Sequence, residues 1–446
     1  MSNHAVENRT RRAATASLVG SALEWYDFFL YGTAAALVFG PLFFTGDDSL
    51  TGTLAAFGTF AIGFIARPFG GVIFGHFGDR VGRKSMLVIT LMMMGVCTAL
   101  IGLLPTHSQI GIWAPILLVL LRIVQGIAVG GEWGGAVLMI SENAPPNRRG
   151  FFSAFSQVGV TLGFILSSSI FALVNLLPED DFLSWGWRIP FLLGLVLMIA
   201  GLVIRMKVEE TPVFEELQAQ GGSVRYPALE AIKTQRRSIL ITVGARMAEN
   251  GGSYIFSVFS LAYGVHIGIG SGVILTAIIV ANILETFTMV GFAALSDRIG
   301  RRPVYLIGAI GVIVWAAPFF LLINTRNTAL IWLAIIVAIS VCHGSMIGTQ
   351  PSFFSELFTG KVRYSGLSIG HEVAAIFAGG VAPLAATALL AWSGTYWPIA
   401  IYLACFGILS TIAVIKSPET KATESLSRPH DTDSTPRVTI GVGEPA

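Results

Sequence analysis

A short polar motif occurs twice in the sequence, and both copies lie between long apolar runs. Residues 75–84 read GHFGDRVGRK, and residues 295–302 read LSDRIGRR. Asp79 in the first copy and Asp297 in the second copy are separated by nearly half the length of the chain, which has 446 residues. A polar turn that recurs at this distance between hydrophobic segments indicates two similar halves in a membrane.

The composition supports a membrane location. Hydrophobic residues make up 54% of the chain and charged residues only 12%, whereas soluble domains carry about 25% charged residues. A chain with so few charges cannot cover a water-facing surface, so an integral membrane protein is predicted. The three cysteines, Cys97, Cys342 and Cys405, lie in apolar runs without a C-x-x-C spacing. We therefore expect neither a disulfide nor a metal site.

Twelve apolar segments are long enough to cross a bilayer, which requires about 20 residues each. They are residues 18–40, 53–75, 86–104, 113–141, 151–176, 188–206, 238–263, 271–295, 304–324, 330–355, 365–391 and 396–415. The sequence thus predicts an all-α membrane protein with two six-helix bundles, residues 18–206 and 238–415, arranged as parallel repeats. We expect a cytoplasmic N-terminal tail at 1–17, a cytoplasmic linker at 207–237 and a disordered cytoplasmic tail at 416–446.

The distribution of Lys and Arg predicts the orientation. These residues concentrate in the N-terminal tail and in the even-numbered gaps between helices, including Arg80, Arg83 and Arg298. The odd-numbered gaps contain Arg326, with Arg188 at a helix start. Because cytoplasmic loops carry the excess of positive charge, both termini and both copies of the motif are predicted to be cytoplasmic.

Several motifs together resemble those of the major facilitator superfamily. GHFGDRVGRK matches its signature between helices 2 and 3, and RIVQGIAVGG at 122–131 is similar to its helix-4 motif. Within that superfamily, four further segments resemble the metabolite:proton symporter family: EWYDFFLYG at 24–32, GGEWGGA at 130–136, ENAPPNRRG at 142–150 and WGWRIPF at 185–191. The likeness covers residues 18–415.

The resemblance implies proton-coupled uptake of a small organic metabolite across a bacterial plasma membrane. Members of the family transport shikimate, oxoglutarate and other carboxylates, or proline and betaine. We therefore expect no cofactor beyond the proton gradient. The expected partners are the metabolite, the proton and the lipid bilayer, with no nucleic acid, and the expected functional unit is a monomer.

The repeated motif is predicted to act as a charge latch, defined here as an acid and cations that connect the two halves and release when they rock. The candidate residues are Gly75, Asp79, Arg80, Gly82 and Arg83 in the first copy and Asp297, Arg298, Gly300 and Arg301 in the second. The alternative is that the cations only set the topology. The second copy has Ala293 in place of Gly75, which suggests a weaker version of the latch.

Helices 1 and 4 carry the candidate proton-coupling residues. Glu24 and Asp27 share a helix face, and a charge at the middle of a membrane helix costs about 2.5–3.5 kcal/mol. Arg122 is expected to be the counter-ion of an acid on another helix, with Asp27 as one candidate. Glu132 lies ten residues after Arg122, roughly 15 Å along the helix, so these two cannot pair within it. The alternative is a permanent salt bridge that orders the bundle.

Helix 7 carries the leading candidates for substrate binding. Arg246 suits a carboxylate because its guanidinium is a planar, two-pronged donor, although an ion pair with Glu249 in the same helix is an equal alternative. The full set of substrate-binding candidates is Arg246, Glu249, Asn250, Tyr31, Tyr254, Gln125, His371 and Glu372. His343, Arg67, Asn282 and Glu285 are weaker candidates, because a lone polar side chain in a membrane helix is more often structural.

The sequence therefore predicts a secondary active transporter that couples uptake of a small metabolite, most simply a carboxylate, to protons by alternating access. A zwitterion symporter of the proline and betaine type, or a uniporter or exporter of the same fold, are the alternatives. An enzyme is disfavoured because the sequence contains no H-E-x-x-H or G-x-x-x-x-G-K-[ST] motif.

Overall fold

The computed structural model describes the backbone of most of the chain. The described residues are 3–44, 49–81, 83–130, 132–144, 146–206, 227–358 and 363–421. Within them, side chains are described except at 3–17, 24, 49–50, 71–72, 75–81, 83–87, 132, 135–136, 139, 142–143, 146, 204–206, 227–228 and 364.

The described chain is helical and contains no strand, and twelve long helical segments follow one another along it. In the first half they are α1 (Asn3–Ala34, a π-helical section Ala35–Phe39 and Gly40–Phe43), α2 (Ser49–Val81), α3 (Arg83–Leu103), α4 (Trp113–Val129 and Glu132–Asn143), α5 (Arg149–Val174) and α6 (Arg188–Met206). In the second half they are α7 (Arg236–Tyr254, a π-helical section Ile255–Phe259 and Ser260–His266), α8 (Ser271–Ile299), α9 (Arg301–Asn324), α10 (Thr328–Ile336, a π-helical section Val337–His343 and Gly344–Glu356), α11 (Arg363–Ala374, a π-helical section Ala375–Gly380 and Val381–Ser393) and α12 (Trp397–Ile415). Shorter helical turns at Pro146–Arg148, Glu179–Asp181 and Pro227–Thr234 lie between them.

Each of the twelve predicted spans overlaps one of these segments almost completely. Nine helices of the described chain are long and apolar enough to cross a membrane, and Val88–Leu103 and Trp113–Val129 are shorter apolar helices. Helix α7 is not among the nine, and it carries Arg246, Glu249 and Asn250 in its middle. A segment that lies outside the nine is therefore the one for which the sequence predicts the leading substrate contacts.

The two halves repeat the same packing. In the first half α1 packs on α5, α2 on α4 and α3 on α6, and in the second half α7 packs on α11, α8 on α10 and α9 on α12. The π-helical sections of α1 and α7 also occupy matching positions in the two halves. Between the halves, α5 packs on α8 and α2 packs on α11. The predicted all-α fold with two parallel repeats is thus confirmed.

The predicted C-terminal tail begins with residues that are packed. Ser417 and Thr420 are buried, with exposed fractions of 3% and 2%. Glu419 accepts hydrogen bonds from the backbone N–H groups of Arg301 and Arg302 at 2.8 and 3.1 Å. The chain therefore makes tertiary contacts at least as far as Thr420, beyond residue 416, where the disordered tail was predicted to start. Residues 422–446 of that tail and 207–226 of the predicted linker lie outside the described residues.

Candidate functional site

A cavity with polar lining residues lies between the two halves. The first half contributes Trp25 from α1, Trp133 from α4 and Gln157 from α5, among others. The second half contributes the charged and amide side chains Arg246, Glu249, Asn250, Asn282, Glu285, His343, Gln350 and His371. Polar groups at the centre of a membrane bundle are costly to retain unless they serve a pathway or a binding site, so this cavity is the leading candidate site.

Contacts between the halves lie on both sides of the cavity. Towards the predicted cytoplasmic end, Trp133 stacks on His371 with ring centroids 3.6 Å apart, and Gln157 Nε2 donates to Gln350 Oε1 at 3.4 Å. Towards the opposite end, Asn175 Nδ2 donates to Ser271 Oγ at 2.9 Å. The two halves are therefore in contact at both ends of the cavity.

Arg246 is held at the cavity wall by two contacts. Its Nη1 donates to the backbone carbonyl of His371, and its Nε lies 3.4 Å from Glu249 Oε2. Nε nevertheless has no hydrogen-bond partner, and neither do Asn250 Nδ2 and the Tyr254 hydroxyl. The predicted alternative, an ion pair between Arg246 and Glu249, is present, and it leaves unpaired donors facing the cavity. These three residues, Glu249 and His371 line the cavity, and their role in substrate binding stays a prediction.

Asp27 lies outside this cavity in a compact cluster within the first half. Its carboxylate accepts a hydrogen bond from the Thr98 hydroxyl and another from Gln125 Nε2, the latter at 2.9 Å. Gln125 Oε1 in turn accepts from Arg122 Nη1 at 3.3 Å. Arg122 therefore reaches Asp27 through Gln125, whereas the sequence suggested a direct pair. Gln125 belongs to this cluster and does not line the cavity.

The Arg122 guanidinium is surrounded mainly by aromatic rings. It lies 4.5 Å from the Phe28 ring centroid and 4.2 Å from that of Tyr31. Its Nε and Nη2 have no hydrogen-bond partner, while the Tyr31 hydroxyl is paired with Thr59 at 2.6 Å. Tyr31, a candidate for substrate binding, thus supports Arg122 by a cation–π contact and is not among the residues that line the cavity.

Glu372 links the two halves. Its Oε2 lies 3.7 Å from Arg67 Nη1 of α2, and its Oε1 is 2.9 Å from Nδ1 of the adjacent His371. No sequence pattern indicated that these neighbours act together, because adjacent residues point about 100° apart on a helix. The contact brings Arg67, a weak candidate in the sequence, into the interface between the bundles.

A second buried cluster joins α7, α8 and α10. His343 Nδ1 is 2.5 Å from Glu285 Oε1, and His343 Nε2 is 3.4 Å from Glu249 Oε1. Gln350 Nε2 donates to Glu249 Oε2 at 2.8 Å.

Sequence reasoning ranked His343 and Glu285 low and did not single out Gln350. A signal was nevertheless present in the internal repeat. The interval that separates Asp79 from Asp297 also separates Gln125 from His343, Arg67 from Glu285 and Glu132 from Gln350.

The second copy of the motif contacts the other half directly. Asp297 accepts hydrogen bonds from the N–H groups of Gly150 and Phe151 at 2.9 Å each, and so caps the start of α5. Its Oδ1 also lies 2.7 Å from Arg301 Nη1. Arg301 Nη2 is 3.1 Å from Glu356 Oε1. An acid of one half therefore holds the backbone of the other, and the release of this contact during transport stays a prediction.

Glycine is required on both sides of this contact. A Cβ at Gly150 would lie 2.5 Å from Arg301 Nη1 and 2.8 Å from the Ala293 carbonyl. Gly300 has φ +107°, and a Cβ there would lie 2.7 Å from Glu419 Oε2. The carbonyl of Arg298 accepts from Lys421 Nζ, so residues near the end of the described chain also contact the latch.

Several predicted site residues lie outside the described side chains. They are Glu24 and Glu132 of the proton-coupling set and Gly75, Asp79, Arg80, Gly82 and Arg83 of the first motif copy. Their roles remain predictions.

Two repeated six-helix bundles around a central cavity with polar lining residues define the architecture of a secondary transporter. A family model described as "Sugar (and other) transporter" matches residues 13–221 and 215–426. The chain belongs to this family of the major facilitator superfamily.

Relatives of known function are similar over nearly the whole chain. The shikimate transporter of Escherichia coli (strain K12) is 42% identical over 413 residues, which cover 92% of this chain and 94% of that protein. The glycine betaine/proline/ectoine/pipecolic acid transporter OusA of Dickeya dadantii (strain 3937) is 35% identical and covers 93% of this chain and 84% of its own. The chain is accordingly a multi-pass membrane transporter and not an enzyme.

Solved structures support the same fold. The xylose transporter XylE from E. coli, in a partially occluded inward-open conformation, superimposes with a TM-score of 0.71 at 17% identity and covers 93% of this chain and 99% of its own. At this identity the likeness shows the fold alone.

Proposed function

We propose that the chain is a proton-coupled symporter that takes up a small organic carboxylate by alternating access. The observation that carries the proposal is the cavity between the halves, in which Arg246 presents an unpaired donor. The proton gradient drives the cycle and no other cofactor takes part. The protein works in a bacterial inner membrane with both termini in the cytoplasm.

The cavity suits a carboxylate because three of its lining residues carry unpaired donors. Arg246 Nε, Asn250 Nδ2 and the Tyr254 hydroxyl have no hydrogen-bond partner. A buried donor without a partner carries a desolvation cost of about 1–3 kcal/mol, and carboxylate oxygens that accept from these donors remove this cost. Trp25 and Trp133 supply apolar walls for the carbon skeleton.

Asp27 supplies the proton-binding group of the first half. It is 5% exposed, and its nearest cation, Arg122, reaches it only through Gln125. A carboxylate this deeply buried without a direct cation is expensive to keep charged, so a proton on Asp27 stabilises the occluded state. When the bundle opens and water solvates the carboxylate, the proton leaves.

Alternating access follows from the position of the inter-half contacts. Opening towards the cytoplasm requires the release of Asp297 from α5 and of Trp133 from His371, whereas opening outwards requires the release of Asn175 from Ser271. The contacts on one side of the cavity must break while those on the other side remain formed, so that the cavity opens to only one side of the membrane at a time.

The proposal is tested with purified protein in proteoliposomes, with shikimate, oxoglutarate and benzoate as probes. We expect an imposed inward proton gradient to drive accumulation of one of these probes, and probe addition to make the external medium alkaline. Uptake that a protonophore leaves unchanged would contradict proton coupling. Failure of every carboxylate, with proline or glycine betaine accumulated instead, would contradict the substrate class.

Arg246→Lys tests the carboxylate contact. Lysine keeps the charge but loses the planar pair of donors. Hydrogen bonds to charged groups contribute about 1.5–3 kcal/mol, so the apparent KM should rise by about 10-fold to about 150-fold. Arg236→Lys, at an exposed position near the start of the same helix, is the matched control and should leave the KM unchanged.

A zwitterion is the second candidate substrate, and one feature favours it. Glu249 and Glu285 line the same cavity as Trp25 and Trp133, and acidic and aromatic groups together bind ammonium ions. Competition separates the candidates: glycine betaine should fail to inhibit uptake of a carboxylate probe if the proposal holds, and should inhibit at comparable concentrations if the site accepts zwitterions.

A further inference from the structure

We propose that Glu249, His343 and Glu285 form a second proton-binding site, in the C-terminal half and at the wall of the substrate cavity. We call these three residues the triad. The inference rests on the proposed function for its role in transport, whereas proton binding itself can be measured without any substrate. Its consequence is that one more proton crosses the membrane per cycle than Asp27 alone accounts for.

The geometry places one imidazole between two carboxylates. His343 Nδ1 is 2.5 Å from Glu285 Oε1, and Nε2 is 3.4 Å from Glu249 Oε1. All three side chains are buried, with exposed fractions between 2% and 6%. They come from three different helices, α7, α8 and α10, and all of them line the cavity. The arrangement is therefore a tertiary feature of the site and not a contact along one helix.

The charges balance only when the triad holds a proton. Glu249 is 3.4 Å from Arg246, and Glu372 is 3.7 Å from Arg67, so each of these acids has its own cation. No Lys or Arg among the described residues forms an ion pair with Glu285, whose single ion-pair partner there is His343. A buried carboxylate needs a counter-charge or a proton. The proton therefore sits between Glu285 Oε1 and His343 Nδ1.

The remaining polar neighbours do not supply another cation. Gln350 of α10 donates to Glu249, and Asn282 of α8 donates to a backbone carbonyl of its own helix. From α9, the hydroxyl of Tyr305 donates to the carbonyl of Ala245. From α11, His371 contacts Glu372 and contributes its carbonyl to Arg246.

The internal repeat shows that the two halves carry different versions of one arrangement. In the first half, Gln125 of α4 holds the acid Asp27 of α1. His343 of α10 follows Gln125 by the interval that separates the two copies of the motif. It therefore occupies the position of the second half that is equivalent to Gln125, and it contacts the acid Glu249 of α7. An amide cannot change its charge, but an imidazole can. Arg67 of α2 likewise corresponds to Glu285 of α8, so a fixed cation in one half matches an acid in the other.

Occlusion links this proton to transport. In the closed cavity, Glu285 without the proton would be an uncompensated buried charge. When the cavity opens to the cytoplasm, water solvates Glu285 and His343, and the proton passes to that water. The external solution reloads the triad when the cavity opens outwards. Substrate as an anion adds negative charge beside the triad, so binding of the proton and binding of the substrate support each other.

Infrared spectroscopy of the purified protein without substrate tests the proton site directly. Difference spectra between about pH 4 and about pH 10 should contain a component from coupled imidazole and carboxyl bands that is lost in Glu285→Gln and in His343→Gln. The same component should persist in Asp27→Asn and in His266→Gln, which changes an exposed histidine in the same way. Unchanged spectra for both triad variants would overturn the proposal.

Charge movement in proteoliposomes tests its role. With a monocarboxylate probe, two protons per substrate move one net positive charge inwards, so an inside-negative potential should stimulate wild-type uptake. His343→Gln should reduce the ratio to one proton per substrate and abolish this stimulation while proton-driven uptake continues. Retention of the potential dependence would contradict the proposal.

These outcomes separate the two proposals. If the protein moves no protons at all, the proposed symport fails, and the infrared component still decides whether the triad binds a proton.

Discussion

Asp297→Ala should release the cytoplasmic latch and shift the protein towards its inward-open state. The substitution removes both hydrogen bonds to the start of α5 and the ion pair with Arg301. Loss of a helix cap costs about 0.5–2 kcal/mol, and this cap exists only while the two halves are closed at that end. A change of about 1–2 kcal/mol alters the ratio of the two states by a factor of about 5–30.

Double electron–electron resonance measures this shift. Spin labels at Asn147 and Ile299, exposed positions on either side of the latch, report the distance between α5 and α8 in a background in which the exposed Cys405 is replaced by serine. We expect a longer-distance component to grow in Asp297→Ala. Asp180→Asn, which changes an exposed acid at the other end of the bundle, should leave the distance distribution unchanged.

The reasoning about the latch would be refuted by an Asp297→Ala distribution identical to that of the wild type. It would also be refuted if the population shift were equal in the control.

Three further predictions follow from particular contacts. Gly126→Ala should lower the Tm, because a Cβ there would collide with the Gly63 carbonyl and overpacking costs about 1–3 kcal/mol. The control Gly58→Ala, where nothing lies within 4 Å of the added Cβ, should leave the Tm unchanged. An equal loss of Tm in both variants would contradict the close approach of α2 and α4. Asp27→Asn should lower the proton-to-substrate ratio from two to one, because the triad still carries its proton, and an unchanged ratio in this variant would exclude Asp27 as a coupling group. Glu419→Ala should lower the Tm, because the loss of its two hydrogen bonds to the start of α9 lowers the free energy of unfolding by about 1 kcal/mol. An unchanged Tm would mean that this cap contributes nothing to stability.

The helices were predictable from sequence because a membrane span needs only length and apolarity. The same rule does not foresee the π-helical sections Ala35–Phe39 and Ile255–Phe259, since no local composition distinguishes them from the surrounding helix. Ser417 and Thr420 are buried, but they were assigned to the tail because the stretch around them is polar. Their burial depends on partners such as Glu356, which accepts from the Thr420 hydroxyl at 2.7 Å and lies far away in the sequence.

The candidate site was predictable where one helix carries the whole pattern. The Arg246–Glu249 contact follows from the i, i+3 spacing of the two residues. The link from Asp27 to Arg122 through Gln125 did not follow, because which side chain stands between two others is set by how helices pack. His343 and Glu285 look isolated in the sequence and become a pair only when α8 and α10 meet.

The proton-to-substrate ratio tests the central claim most directly. Proteoliposomes are set at opposing pH and substrate gradients, and the gradient at which net flux vanishes gives the ratio for wild type, Asp27→Asn and His343→Gln. The account predicts two protons per substrate for the wild type and one each for Asp27→Asn and His343→Gln. A ratio in either variant equal to that of the wild type would contradict it.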